Sequence, residues 1–208
     1  MTLNDLVIIF GGGRDSLLVL DSAVKKYRGD ITLLLYDYGQ KSFKREEEAI
    51  RYYGELYKVN YLTRKVTLSI PKSIETGESD SSGYVTLRNV ILLSMAINLF
   101  YPYVTHYGVG ATAGERYNDG IAVALRDLEK VVSYMHATPE EEYPIKLYMP
   151  LETIHWKDIN KEIAKRNIDV SKMWFCMTDN ETHCGKCEKC VAVMQKIEGY
   201  EKFSSRVR

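Results

Sequence analysis

Short apolar runs alternate along this chain with longer segments whose apolar residues recur at helical spacing. Residues 6–10 form an unbroken apolar run that ends at three glycines, and residues 31–36 form a second run that ends at Asp37-Tyr38-Gly39. Because both faces of such a run must be buried, each is typical of a strand in a parallel sheet that helices cover on both sides.

The rest of the chain continues this alternation of strands and helices. Further predicted strands are residues 65–70, 104–109 and 145–149, and the predicted helices are residues 17–27, 43–57, 88–100, 121–135 and 157–166. Residues 70–83, 110–120 and 139–144 are rich in polar, glycine and proline residues and are predicted as loops. This order predicts one α/β domain over residues 1–208, with a Rossmann-like parallel sheet sandwich.

Charge and apolar length exclude several classes of protein. The chain carries 28 basic and 28 acidic residues, so no net charge attracts it to nucleic acid or to a membrane surface. No apolar stretch reaches the length of a membrane span, and the N-terminus lacks the pattern of a signal peptide. We therefore expect a cytoplasmic protein that binds neither a membrane nor nucleic acid directly.

All four cysteines lie in one segment near the C-terminus, at Cys176, Cys184, Cys187 and Cys190. The last three form two overlapping C-x-x-C turns, so four thiolates can surround one ion. The sequence predicts a structural zinc site at about residues 171–200, and an iron–sulfur cluster is the main alternative. Two disulfides or a redox-active pair would be the other interpretations, but disulfides require an oxidising compartment.

A glycine-rich turn, Gly11 to Ser16, follows the first predicted strand and opens the first predicted helix. Glycines let the backbone approach an anion, and the helix N-terminus favours a phosphate group. Ser16 adds a hydroxyl donor, and Asp15 could hold Mg²⁺ or orient the loop. The alternative is an ordinary tight turn in which Asp15 or Ser16 caps the helix.

The turn resembles the PP-loop, S-G-G-x-D-S, of ATP pyrophosphatases, with Gly11 in place of the first serine. Seven further segments resemble, in order, those of the 7-cyano-7-deazaguanine synthases within this group, and the cysteine set resembles their zinc segment. These segments are Tyr36-Asp37-Tyr38-Gly39-Gln40-Lys41, Tyr84-Val85-Thr86-Leu87-Arg88-Asn89, Gly108-Val109-Gly110, Tyr117-Asn118-Asp119, Pro150-Leu151, Trp156-Lys157-Asp158 and Gly199-Tyr200.

The resemblance implies an enzyme that converts 7-carboxy-7-deazaguanine and ammonia to 7-cyano-7-deazaguanine. The reaction consumes ATP with Mg²⁺, passes through an adenylated intermediate and supplies queuosine or archaeosine synthesis. Zn²⁺ would be structural, and relatives of this kind suggest a homodimer. Two alternatives are another PP-loop pyrophosphatase with a different substrate and a non-enzymatic zinc-ribbon-like module.

The resemblance also assigns roles to residues of this sequence. It implies that catalysis depends on Asp15, Ser16, Arg88 and Lys157, and that substrate binding depends on Arg88, Asn89 and Asp119. It places ATP on Phe10, Gly11, Gly12, Gly13, Arg14, Asp15, Ser16 and Leu17, and the metal on Cys176, Cys184, Cys187 and Cys190. Arg14 fills the variable position, where it could add positive charge but a solvated side chain is favoured. Arg88 could equally be a surface residue, Asp119 a turn residue and Lys157 a solvated lysine.

Several positions depart from the family pattern. Thr86-Leu87 stands where a Pro-Gly type pair is usual, Lys41-Ser42 stands where Arg-His is common, and the loop at 110–120 is altered. Since substrate contacts come from such loops, a changed substrate is a further interpretation.

Overall fold

In the computed structural model the chain forms a parallel five-stranded sheet with helices on both faces. The structure describes residues 5–77, 85–114, 122–136 and 144–194. The strands are β1 (Leu6–Ile9), β2 (Ile31–Asp37), β3 (Asn60–Lys65), β4 (His106–Gly108) and β5 (Lys146–Tyr148), in the spatial order β3-β2-β1-β4-β5. The predicted α/β fold class, with its parallel sheet, is confirmed.

Alternating side chains of the central strand divide the core into two clusters. Leu6 and Ile8 of β1 face one cluster, and Val7 faces the other. All three are at most 1% exposed, which is why β1 reads as a continuous apolar run rather than as an alternating one. The first apolar run therefore lies at the centre of the sheet.

Helices cover the two faces of this sheet. They are α1 (Arg14–Lys26), α2 (Phe43–Tyr57), α3 (Lys72–Thr76), α4 (Arg88–Phe100), α5 (Ala122–His136), α6 (Ile159–Lys165) and α7 (Glu188–Met194), with a 3₁₀ turn at Trp156–Asp158. Buried residues of α1, α2 and α6 join the first core cluster, whereas those of α4 and α5 join the second. The cysteine segment packs on the side of α1 and α2.

The predicted third strand was wrong in position. Residues 65–70 were expected to form it, but β3 is Asn60–Lys65, and its side chains are only exposed or half-buried. As the edge strand, β3 pairs on one side only and carries charged residues at its end, so it lacks the apolar run that marks β1 and β2.

Two further differences concern local structure. Within the predicted loop at 70–83 lies the short helix α3, whose Ser73 and Ile74 are buried, while residues 78–84 lie outside the described residues. Helix α7 was not predicted, because its residues read as part of the cysteine motif. The remaining predicted strands and helices agree with the structure to within three residues at each end.

Among the described residues, no helix combines the length and the apolar character that crossing a membrane requires.

Candidate functional site

The glycine turn lies at the carboxyl end of β1, the central strand, which has β2 on one side and β4 on the other. Strand β2 pairs with one side of β1 and β4 with the other, so the strand order reverses here. Ligands of open parallel sheets bind outside the carboxyl ends of the strands at such a point. The sheet thus presents the turn where a nucleotide site is expected.

Gly12 has a backbone conformation that only glycine adopts without strain in this setting. Its φ is +71°, and a Cβ added there would lie 2.7 Å from Cβ of Ala49 on α2. This close approach packs the turn directly on α2.

The N-terminus of α1 is not capped by a side chain. Gly13 is the N-cap residue, and no side chain accepts a hydrogen bond there. The Ser16 hydroxyl donates instead to the Gly13 carbonyl at 3.0 Å. The interpretation in which Asp15 or Ser16 caps the helix is therefore wrong, and the first-turn N–H groups, which have no partner within a helix, suit an anion.

Asp15 places a carboxylate beside this turn. Its Oδ1 is buried and has no hydrogen-bond partner among the described residues. Burial raises the pKa of Asp15, although the positive charges of Arg14 and Lys189 act in the opposite direction. A Cβ on Gly110, in the loop after β4, would lie 3.0 Å from Cβ of Asp15, so a side chain at this position would crowd Asp15. An unpaired buried carboxylate oxygen is the kind of ligand that Mg²⁺ takes.

Arg14 is half-buried rather than solvated. One guanidinium nitrogen, Nη1, donates to Oδ1 of Asn160 at 3.1 Å, across the boundary between α1 and α6. The interpretation of Arg14 as a solvated side chain is wrong, and its charge acts on Asp15.

Arg88 belongs to the same group of charges. It is half-buried at the start of α4. Burial raises the pKa of Tyr38, and Arg88 acts in the opposite direction through its charge and a hydrogen bond to the phenol. Arg88 also interacts electrostatically with Lys189. The structure therefore brings together Asp15 and Arg88, which were predicted, with Tyr38 and Lys189, which were not.

Glu46 of α2 organises the turn after β2. The Gln40 amide nitrogen donates to Oε2 of Glu46 at 2.9 Å and to the Tyr36 carbonyl at 2.8 Å. The Ser42 hydroxyl donates to Oε1 of Glu46 at 2.7 Å. These bonds hold the segment that carries Tyr38 near the glycine turn.

Lys189 lies on α7 and reaches the candidate site from the cysteine segment. The residue is exposed by its solvent-accessible area, although nearby protein atoms desolvate its ammonium group. This desolvation is the main cause that lowers the pKa of Lys189, followed by the charge of Arg88, whereas Glu46 and Asp15 are among the groups that oppose the shift. Sequence reasoning missed Lys189 because it lies between two metal ligands.

Other predicted residues are placed differently. Phe10 and Leu17 have fully buried side chains, so only their backbone could meet ATP. Asn89 is half-buried on the first turn of α4. Lys157 is exposed, with Nζ 5.6 Å from the centre of the Trp156 ring. Asp119 lies outside the described residues.

The four cysteines converge as the sequence predicted. Their sulfur atoms all lie within 4.8 Å of one another. Two pairs, Cys176 with Cys187 and Cys184 with Cys190, have Sγ–Sγ distances of 3.9 Å. Zn–S bonds of about 2.3 Å place the corners of a tetrahedron about 3.8 Å apart, so the spacing fits a tetrahedral metal ion.

Neighbouring groups act in opposite directions on the charge of these sulfurs. Backbone N–H groups of Cys184, Cys187 and Cys190 donate to sulfur atoms at 3.3–3.4 Å. Hydrogen bonds from Cys187 and Cys190 lower the pKa of Cys176, and the bond to Cys176 in turn raises the pKa of both partners. The close spacing of the four sulfurs keeps some of the thiols protonated, and a bound cation would take the place of these protons. The four residues therefore form a metal site.

His183 is part of an aromatic stack rather than of the four-sulfur group. Its ring is stacked on Trp174, with centroids 4.4 Å apart, and on Phe175, with centroids 3.9 Å apart. Leaving it out of the ligand set agrees with the geometry.

Comparison with known proteins decides the family. A family model described as queuosine biosynthesis protein QueC matches residues 5–204. The chain belongs to this family. The family resemblance predicted from the ordered sequence segments is confirmed.

Named relatives of this QueC family member cover nearly its whole length. The 7-cyano-7-deazaguanine synthase 1 of Colwellia psychrerythraea is 29% identical, over 95% of this chain and 94% of that protein. A 7-cyano-7-deazaguanine synthase of Prochlorococcus marinus is 27% identical, over 88% and 89% respectively. These relatives are named as synthases, in agreement with an enzyme of the PP-loop type.

Solved structures share the fold. The tRNA thiolase NcsA of Methanococcus maripaludis, solved with its 4Fe–4S cluster, superimposes with a TM-score of 0.53 at 13% identity, covering 98% of this chain and 70% of that one. The NH₃-dependent NAD synthetase of Campylobacter jejuni gives a TM-score of 0.50 at 14% identity, over 83% and 68%. At these identities the likeness shows a shared α/β fold.

Proposed function

We propose that this QueC family member converts 7-carboxy-7-deazaguanine and ammonia to 7-cyano-7-deazaguanine at the expense of ATP, as a ligase that forms carbon–nitrogen bonds. The observation that carries the proposal is the buried and unpaired Oδ1 of Asp15 beside an uncapped helix N-terminus, in a chain whose full-length relatives bear that activity in their names. Such a turn offers a cation ligand and anion donors together.

Activation is the first chemical requirement, because a carboxylate is a poor electrophile. One substrate carboxylate oxygen attacks the α-phosphorus of ATP, the bond to the β-phosphate oxygen breaks, and pyrophosphate leaves. Ammonia then attacks the acyl carbon, AMP leaves with the oxygen, and a primary amide remains after loss of a proton.

A second activation converts the amide to the nitrile. The amide oxygen attacks the α-phosphorus of another ATP, and pyrophosphate leaves again. Loss of AMP and the remaining N–H protons then forms the carbon–nitrogen triple bond. The residues serve mainly to position these groups and to offset developing charge.

Each charged residue near the turn has a role in this scheme. The backbone of Gly11 to Gly13 binds the pyrophosphate end of ATP, and Asp15 holds Mg²⁺, which offsets phosphate charge. Arg88 binds a carboxylate or phosphate in bidentate fashion, since its guanidinium offers paired donors. The Lys189 ammonium, on α7, neutralises phosphate charge at the glycine turn. Arg14, Ser16, Asn89, Asp119 and Lys157 keep the roles that the family resemblance gives them.

Zinc is the proposed metal of the four-cysteine site. Four thiolates at tetrahedral spacing satisfy Zn²⁺ completely and leave no open position, which supports a structural role. Zinc content of about one equivalent in gently purified protein is the expected result, measured by plasma mass spectrometry. Less than about half an equivalent, or iron with bound sulfide, would count against zinc.

A homodimer in the cytoplasm is the proposed state of the enzyme. Large apolar side chains stay exposed on the outer helices, with Tyr134 and Met135 of α5 at 84% and 76%. Exposed side chains of this kind favour contact with a second copy. The cytoplasm supplies ATP and keeps the four thiols reduced.

The decisive assay incubates the protein with ATP, Mg²⁺, ammonium and 7-carboxy-7-deazaguanine and detects the cyano product by mass spectrometry. We expect two pyrophosphates released for each nitrile formed. Release of pyrophosphate only with a different carboxylate would support the alternative PP-loop function. The departure from the family pattern that is relevant to this alternative is Leu87, which lies in the altered segment before Arg88 and has a φ of +53°. Failure to bind ATP at all would contradict both.

A further inference from the structure

The metal segment contacts the glycine turn through one backbone hydrogen bond. The Trp174 N–H donates to the Gly12 carbonyl at 2.9 Å, and the Trp174 carbonyl lies 3.8 Å from where a Cβ of Gly13 would be. Trp174 is two residues before Cys176, the first metal ligand. The turn and the metal segment are therefore in direct backbone contact, two residues from the first ligand.

Fixing the Gly12 carbonyl also fixes the N–H of Gly13. The peptide between them is planar and trans, so its C=O and N–H point in opposite directions. When the Gly12 carbonyl points at Trp174, the N–H of Gly13 points away from Trp174. Gly13 is the N-cap residue of α1. An N–H group at this place is one of the donors that a helix N-terminus offers to phosphate.

The position of Trp174 depends on its ring. The ring stacks on His183, its Nε1–H donates to the Thr178 carbonyl at 3.1 Å, and the Arg45 guanidinium lies 5.7 Å from its centre. His183 directly precedes the ligand Cys184, and Thr178 Oγ1 lies 3.2 Å from the sulfur of Cys176. The ring is thus held by neighbours of two metal ligands.

We propose that Trp174 is a positioning residue, which transmits the order of the metal centre to the phosphate-binding peptide Gly12–Gly13. The stack of Trp174, His183 and Phe175 places the Trp174 N–H, and this N–H orients the peptide. The metal then contributes to nucleotide affinity without touching the nucleotide. This inference rests on the proposed ATP function, and it adds a role for the metal segment beyond holding the fold.

The test measures the affinity of inorganic pyrophosphate with Mg²⁺ by isothermal titration calorimetry. His183→Phe keeps a ring in the stack, whereas His183→Ser removes it. We expect a Kd close to that of the native protein for His183→Phe and about tenfold weaker for His183→Ser, the size of one lost hydrogen bond to a charged group. Trp174→Phe and Trp174→Leu form a second pair with the same expected order.

Metal content and a control variant separate this role from general loss of structure. Ile145→Ala removes a fully buried side chain in the second core cluster, away from the cysteine segment. It should lower the melting temperature while leaving the pyrophosphate Kd unchanged. Weaker binding by the Ser and Leu variants with a full metal complement supports the inference. Equal Kd in all variants, or weaker binding only where metal is lost, overturns the positioning role of Trp174.

The native protein itself distinguishes the two levels of the proposal. Native binding of pyrophosphate with equal affinity in every variant would overturn the role of Trp174 alone. Absence of binding by the native, metal-loaded protein would overturn the proposed function together with this inference.

Discussion

Gly12 and Gly11 are neighbours in the chain but differ in their tolerance of a side chain. A Cβ at Gly12 would meet Ala49 at 2.7 Å with φ at +71°, whereas a Cβ at Gly11 would meet nothing within 4 Å. Gly12→Ala should lower the free energy of unfolding by about 2–4 kcal/mol, from strain and overpacking together. Gly11→Ala should change it by about 0.5 kcal/mol at most. Urea unfolding of both variants checks this, and equal losses would contradict the close approach to α2.

The ionised carboxylate of Asp15 is expected to lower the stability of the fold while it serves the proposed reaction. Because burial raises its pKa, the folded chain holds the proton more tightly than the unfolded chain, and ionisation above about pH 4 costs stability. Asp15→Asn should therefore raise the urea midpoint at pH 7 in Mg²⁺-free buffer, with a gain that disappears below about pH 4. The same variant should lose ATP-dependent pyrophosphate release. A lower midpoint at pH 7 would show that the carboxylate is stabilised by contacts instead.

Single residues with local signals were predictable, and those with distant partners were not. Three glycines after an apolar run identified the turn, and four clustered cysteines identified the metal site. Lys189 carried no such signal, because its approach to Asp15 joins residues 174 positions apart in the sequence. Arg14 read as solvated for the same reason, since its partner Asn160 is far along the chain.

At the scale of elements, α7 serves two parts of the molecule. It carries the ligand Cys190 and the site residue Lys189, and it follows the ligand Cys187. Cys187→Ser should lose the metal and lower the melting temperature by roughly 6–12 °C, for about 3 kcal/mol of lost stability. Differential scanning calorimetry with metal analysis checks this, against the exposed Lys186→Ala as a control. A stable variant that lost only turnover would contradict a structural metal.

The charge of Lys189 gives a separate prediction for the same element. Lys189→Met keeps an unbranched side chain, one atom shorter, but removes the ammonium, so the Kd of Mg²⁺-pyrophosphate should rise roughly 5–20-fold. Lys186→Met, an exposed lysine in the same motif, should leave it unchanged. Calorimetric titration of both variants measures the difference. Equal affinities would place Lys189 outside the phosphate site.

Elements were predictable where burial is complete and were misplaced where it is partial. β1 and β2 have nearly every side chain buried, so their apolar runs identified them. β3 is half-exposed at the sheet edge, where the sequence Asn60–Lys65 resembles a surface segment. Helix α7 was hidden because metal ligands, not apolar spacing, determine its sequence.

For the whole molecule, the exposed apolar residues of α5 predict self-association. Tyr134→Lys combined with Met135→Lys should convert a dimer into a monomer, which sedimentation equilibrium would detect. Leu56→Lys, on α2 at 48% exposure, is the matched control and should leave the dimer intact. A native protein that sediments as a monomer at micromolar concentration would contradict the proposed assembly.

The bond between Trp174 and Gly12 also bears on the synthesis of the protein. The chain emerges from the ribosome N-terminus first, so β1 and its glycine turn are made long before the donor that orients them. The turn of a nascent chain lacks this donor until the cysteine segment has left the exit tunnel. We therefore expect a truncated product that ends before Trp174 to bind Mg²⁺-pyrophosphate at least about tenfold more weakly than the full-length chain.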